Sequence, residues 1–124
     1  VRPKLIQPCF LINPPVEIEP LAKRMEHDPS RVERFQILAG GTELAKGFSE
    51  LNNPIDQRER FEEQAKLRKE GDAEAMRLDE DYLEAMEYGM PPNAGFGMGD
   101  RLFATFVNRP IRETVLFPLV KPKE

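Results

Sequence analysis

Very little in this chain of 124 residues points outside ordinary globular chemistry. It has one cysteine, Cys9, so no internal disulfide can form, and a reducing compartment is the expectation. Ile6, Phe10 and Leu11 around it are apolar, which makes Cys9 a small core hydrophobe rather than a reactive thiol. Basic residues are not in excess: the net charge is −4, which argues against a dedicated nucleic-acid-binding module. No apolar run is long enough to span a membrane. No basic-then-apolar signal segment opens the chain, and no internal repeat divides it. The chain starts at Val1 rather than Met, and the expectation is a piece of a longer or processed product.

What is present suffices for one small domain. Hydrophobic residues make up 40% and charged residues 32%, which is polar for a compact fold but not the signature of disorder. Residues 4 to 12 (KLIQPCFLI) read as a strand kinked at Pro8, because proline removes a ladder donor. Pro20 to Arg24 reads as a short helical turn. Arg34 to Ala39 alternates as a strand, with Phe35, Ile37 and Ala39 on one side. Gly40-Gly41 is a two-residue hairpin signal, and Thr42 to Ser49 is the returning strand.

Asn53-Pro54 then starts a helix that runs to about Lys69, with Gly71 after it. Asp79-Glu80-Asp81 starts a second helix, in which Leu78, Tyr82, Ala85 and Met86 are expected to face the core. Gly89 ends it. Residues 94 to 99 (AGFGMG) read as a strand. A third helix from Asp100 to Val107 carries the stripe Leu102, Phe103 and Phe106, and Thr114 to Leu119 is a last apolar run. The order predicts an α+β fold, an antiparallel sheet with flanking helices.

Two constellations carry possible chemistry. Gly95, Gly97 and Gly99 alternate and so lie on one strand face, where a flat ligand or another backbone can approach. The spacing is not that of a dinucleotide fingerprint, and a glycine-rich turn is an equal reading. Arg101 follows at the strand-to-helix junction, placed to stack on a purine while its donors reach a phosphate; a surface ion pair is the blander alternative. In the second constellation, Lys46, Phe48 and Glu50 share one strand face, and Glu43, Ala45 and Gly47 the other. A carboxylate beside an aromatic ring suits a ligand with an alkyl stem and an ammonium head. The plain alternative is a solvated carboxylate next to a core phenylalanine.

These residues resemble a known family. ELAKGFSELNNPIDQRERFEEQ resembles the lysine-pocket segment of class II lysyl-tRNA synthetases, with its core F-S-E-L-N. LDEDYLEAMEYGMPP followed by GFGMG-DRL resembles the approach to the class II signature called motif 3, and the motif itself. PVEIEPLAK and IRETVLFPLVKP are similar to flanking segments, in the family's order. The resemblance implies a partial class II catalytic fold, the C-terminal portion of the catalytic domain, with motifs 1 and 2 and the anticodon-binding domain absent from this chain.

It also implies roles. Glu50 would bind the lysine ammonium, with Phe48 along the aliphatic stem and Lys46 and Gly97 lining the lysine site. Arg101, Glu43, Gly97 and Gly99 would bind ATP, with Arg101 as the catalytic residue on adenine and the terminal phosphate. Glu43 would hold Mg2+, with Gln36 at a weakened second position, because the family has a carboxylate there and glutamine is neutral. Lys46 stands where the family has asparagine, and one apolar residue is missing between Gly99 and Asp100. That deletion would turn the following helix by about 100°. The implied parent is a cytoplasmic homodimeric lysine–tRNA ligase acting on lysine, ATP and tRNA(Lys), this piece being inactive alone. The alternatives are a non-catalytic remnant serving as a binding or assembly module, and a paralogue that attaches lysine to a protein.

Overall fold

The structure, a computed structural model, describes residues 2–119. It has four strands, β1 (Cys9–Ile12), β2 (Arg34–Ala39), β3 (Thr42–Ser49) and β4 (Ala94–Met98), and three helices, α1 (Pro54–Lys69), α2 (Glu80–Glu87) and α3 (Asp100–Val107). The strands form one antiparallel sheet in the order β1-β2-β3-β4, so the fold is α+β. The described residues divide into two compact units, one made of residues 2–11, 36–46 and 96–119, the other of 12–35 and 47–95.

Local chemistry explains most boundaries. Gly40 and Gly41 take φ of 56° and 75°, the left-handed pair that a tight hairpin needs. Asn53 caps α1: its side chain accepts from the N–H groups of Ile55 (3.0 Å) and Asp56 (3.4 Å), and Pro54 fills the first turn. Lys66, Arg68 and Lys69 close α1 at its negative end. Asp79 caps α2 by accepting from Tyr82 N–H at 3.0 Å. Asn108, at φ 49°, ends α3.

Four expectations need correction. The first strand begins only at Cys9: upstream of the donor-less Pro8, the Leu5 and Ile6 carbonyls instead accept from Gly41 and Gly40 at 2.9 Å. Pro20 to Arg24 is not helical. The 3-10 turn lies earlier, at Val16–Ile18, because the backbone of 22 to 24 is used in bridges, Ala22 to Glu50 and Arg24 to Val32. On α2 the buried residues are Leu83 and Met86, whereas Leu78 and Ala85 are exposed. Leu78 precedes the cap, so helical phase does not govern it. On α3, Phe103 and Phe106 face solvent and only Ala104 is buried. After a 3-10 turn at Ile111–Glu113, Leu116 and Phe117 are exposed. Residues 120–122, the end of IRETVLFPLVKP, lie outside the described residues.

In the second unit, α1 packs on α2 around Phe61, Leu83 and Met86, with Leu21, Met76, Tyr82 and Met90 against them. The Phe61 and Tyr82 rings meet at 5.9 Å, tilted by 60°. A polar cluster ties residues 19 to 24 to α1. The Asp56 carboxylate accepts from Arg60 at 2.8 and 2.9 Å and from Arg24 at 3.1 and 3.3 Å. Arg60 also donates to the Ala22 carbonyl at 2.7 Å, and Gln57 to the Pro20 carbonyl at 3.0 Å. Arg34 pairs with Glu19 at 2.9 Å. In the first unit, Leu38, Leu44, Ala45 and Ala104 are buried.

Candidate functional site

The expected site residues fall into two sets, one in each unit. In the first unit, a cleft of about 540 Å³ is lined by Glu43, Lys46, Gly97, Gly99 and Arg101, together with Leu44, Ala45, Met98, Asp100 and Ile111. All the residues expected to hold a nucleotide therefore converge. β3 supplies Glu43 and Lys46, β4 supplies Gly97, and Arg101 stands in the first turn of α3. The Gly99 N–H donates to the Leu44 carbonyl at 3.2 Å, which fixes the start of α3 beside β3. A Cβ built on Gly97 meets nothing within 4 Å, so this floor is open. Arg101 is exposed and lines the cleft.

Gln36, expected at a weakened metal position, is 5% exposed with its amide donating to the Glu43 carboxylate. On β2 the buried residues are Arg34, Gln36 and Leu38, and the apolar partners Phe35, Ile37 and Ala39 are the less buried set. Polar groups take the covered positions because each finds a partner, Arg34 in Glu19 and Gln36 in Glu43. Among the described residues no three acidic, histidine or cysteine side chains gather to hold a metal. A magnesium ion that arrives already bound to phosphates needs only one or two protein carboxylates, and the cleft is lined by those of Glu43 and Asp100. Lys46 is exposed and enters no ion pair among the described residues.

In the second unit, Glu50 is clamped by backbone pairing on both sides. Its N–H donates to the Asn93 carbonyl at 3.0 Å. On the other side Ala22 bridges Glu50, with the Lys23 N–H on the Ser49 carbonyl at 2.8 Å and the Leu51 N–H on the Leu21 carbonyl at 2.9 Å. The Glu50 side chain makes no ion pair or hydrogen bond among the described residues, and burial pushes its carboxyl above the ordinary 4.5. Phe48 is half-buried near the end of β3.

Two residues lie near Glu50 in ways that spacing along the chain does not disclose. Tyr82, by its helical spacing, is predicted at a core position. It does touch the core, and its phenol is also pushed above 10.0, by burial first and then by the charges of Glu50 and Asp79. No sequence signal could have paired positions 50 and 82. Gly95 is the second: a Cβ built there would stand 2.9 Å from Glu50 Oε1. The alternation of glycines marked its strand face, but not its neighbour.

The family described as tRNA synthetases class II (D, K and N) matches residues 1–121. The lysine–tRNA ligase of Pelotomaculum thermopropionicum is 55% identical over all of this chain and 25% of its own length. That of Thermosipho africanus is 53% identical over 98% of this chain and 25% of its own. That of Thermotoga maritima is 52% identical over all of the chain, again with 25% of its own length covered. The chain thus spans about a quarter of these curated relatives.

Proposed function

The chain belongs to the class II tRNA synthetases (D, K and N), and on that premise we propose that it forms the lysine-recognising and nucleotide-binding part of a lysine–tRNA ligase, drawn from the C-terminal portion of its catalytic domain. The observation that carries the reading is Glu50: a partly buried carboxylate with no cationic partner among the described residues. The fold has partly shielded it from water and paired its backbone on both sides, so a substrate ammonium meets a preorganised acceptor. Phe48 would lie along the aliphatic stem of that substrate.

In the other unit, Arg101 would stack on adenine and reach the terminal phosphate, over the open floor of Gly97 and Gly99. Glu43 would hold magnesium carried in with ATP, and the ion would supply charge neutralisation on the phosphates. In the complete enzyme the two substrates would be oriented so that the lysine carboxylate attacks the α-phosphate, forming lysyl-adenylate as the bond to the β-phosphate breaks and pyrophosphate leaves. No side chain serves as nucleophile, and the acceleration comes from positioning and charge. In the complete enzyme the aminoacyl group would pass to tRNA(Lys), in a cytoplasmic homodimer.

Calorimetry with L-lysine tests this on the chain itself. Lysine should bind, and Glu50→Gln should weaken binding by roughly 10- to 100-fold, the worth of one charge-assisted contact. A folded chain with no lysine binding, or a Glu50→Gln variant that binds as well, would refute the reading. A second reading, a binding module that retains the fold without activating lysine, is favoured by the Gln36 amide bonded to Glu43. If it holds, Gln36→Glu leaves magnesium–ATP affinity unchanged. If the chain descends from an active ligase with a weakened metal position, the same change tightens it several-fold.

A further inference from the structure

Glu50 and Gly95 share a geometry that neither residue type discloses by itself. The Glu50 backbone is fixed between Ala22 on one side and Asn93 on the other, so the origin of its side chain cannot drift. Its Oε1 lies where a Cβ on Gly95 would stand only 2.9 Å away, and beyond the neighbours of Gly95 in the chain no other atom of the described residues comes within 4 Å of that point. Gly95 is not a glycine of necessity for the backbone, since its φ lies outside the left-handed region that Gly40, Gly41, Gly71 and Gly89 occupy. What matters at position 95 is therefore the missing side chain. The glycines beside it behave differently. A Cβ at Gly47 would strike the Gly95 carbonyl and the Phe35 ring, both at 2.9 Å, which is a strand-packing constraint. A Cβ at Gly97 would meet nothing.

We propose that Gly95 is a positioning residue for lysine recognition: its bare α-carbon leaves the slot in which the Glu50 carboxylate rests, and so sets where the substrate ammonium is held. The proposal rests on the reading of Glu50 as the ammonium acceptor. A methyl at position 95 meets the far end of a flexible side chain, not backbone, so the fold can absorb it by turning Glu50 aside. The consequence falls on the ligand instead, because an ion pair displaced by an ångström loses most of its directed contact.

The experiment uses Gly95→Ala, Glu50→Asp and the double variant in the full chain, with two readouts. Carbon-13 NMR titration follows the Glu50 carboxyl directly. In the parent it titrates above 4.5 because it is buried, and in Gly95→Ala it should move back toward 4.5 as the carboxylate swings into solvent. Calorimetry follows ligands. Gly95→Ala should weaken lysine binding about tenfold and leave ATP binding within twofold. On the Glu50→Asp background the same alanine should cost less than twofold, because the shorter side chain no longer reaches the added methyl.

An unchanged Glu50 titration in Gly95→Ala, or an equal loss on both backgrounds, overturns the proposal. If Gly95→Ala fails to fold, recovery of folding in the double variant supports it, and failure in both overturns it. A parent chain that binds no lysine refutes the functional reading alone, and the titration still decides whether Gly95 places the carboxylate.

Discussion

Asp56 holds two guanidinium groups with one carboxylate, and neutralising it should be the most costly polar change in the second unit. Asp56→Asn keeps the shape and removes the charge. In the parent, Arg60 is a bidentate partner at 2.8 and 2.9 Å with its side chain 7% exposed, whereas the Arg24 side chain is 38% exposed. The two partners therefore weigh differently. Removing one member of a buried ion pair costs about 3–5 kcal/mol, because the other charge is left stranded. A solvent-facing pair such as Arg24 is worth at most about 1 kcal/mol. The two do not add, since they share one acceptor. A loss of about 3–5 kcal/mol is the expectation, a large fraction of the 5–15 kcal/mol typical of a domain.

Urea denaturation read by circular dichroism measures it. The double variant Asp56→Leu/Arg60→Met, which removes both charges of this largely covered pair, should recover most of the loss. A loss under about 1 kcal/mol for Asp56→Asn, or a double variant no better than the single, would refute the reasoning. There is also a pH signature. Burial alone would push the Asp56 carboxyl up, but hydrogen bonds from Arg60 and Arg24 outweigh it and hold the group below 3.8. Its stabilisation is then present above 3.8 and is lost as pH falls through the lowered value, so Asp56→Asn should flatten the acid limb. Because Arg60 also grips the Ala22 carbonyl, and Ala22 pairs with Glu50, the same variant should loosen lysine binding without touching the ligand.

Other outcomes follow from the same geometry. Phe61→Ala, at a core position 2% exposed against Leu83 and Met86, should cost about 3–5 kcal/mol in urea denaturation. Glu50 has the opposite pH sign from Asp56. Its raised carboxyl favours the folded state below 4.5, and that contribution is lost as pH rises through the folded value. Glu50→Gln should therefore remove the decline in urea midpoint above pH 4.5, and a variant that declines as the parent does would contradict the burial of this carboxyl.

The sequence disclosed what is decided by neighbours along the chain. The Gly40-Gly41 turn, both hairpin strands, the Asn53-Pro54 start of α1 and the Asp79 cap of α2 are local devices, and each stands where the residues put it. Partners distant in sequence were not legible. Nothing in β2 announces that Arg34 and Gln36 take the buried face, since their burial depends on Glu19 and Glu43. Residues 22 to 24 read as helical because their extended form is imposed by Glu50 and Val32. In the site, the resemblance pointed to Glu43, Glu50, Gly97 and Arg101 and the glycine spacing to Gly95, whereas the nearness of Tyr82 and Gly95 to Glu50 depends on a fold that brings distant residues together.

The two strand pairings of β3 also differ in how much chain each must gather before it can form. The β2–β3 hairpin closes over only Gly40 and Gly41, whereas joining β3 to β4 requires residues 50–93 to be looped out first. The longer closure carries an entropic penalty on the order of 2–3 kcal/mol greater. In time, then, the hairpin that carries Gln36 and Glu43 should assemble early and the Glu50–Asn93 pairing late. In pulse-labelling hydrogen exchange the Glu50 amide should gain protection after the hairpin amides, so the slot over Gly95 is among the last features of the molecule to exist.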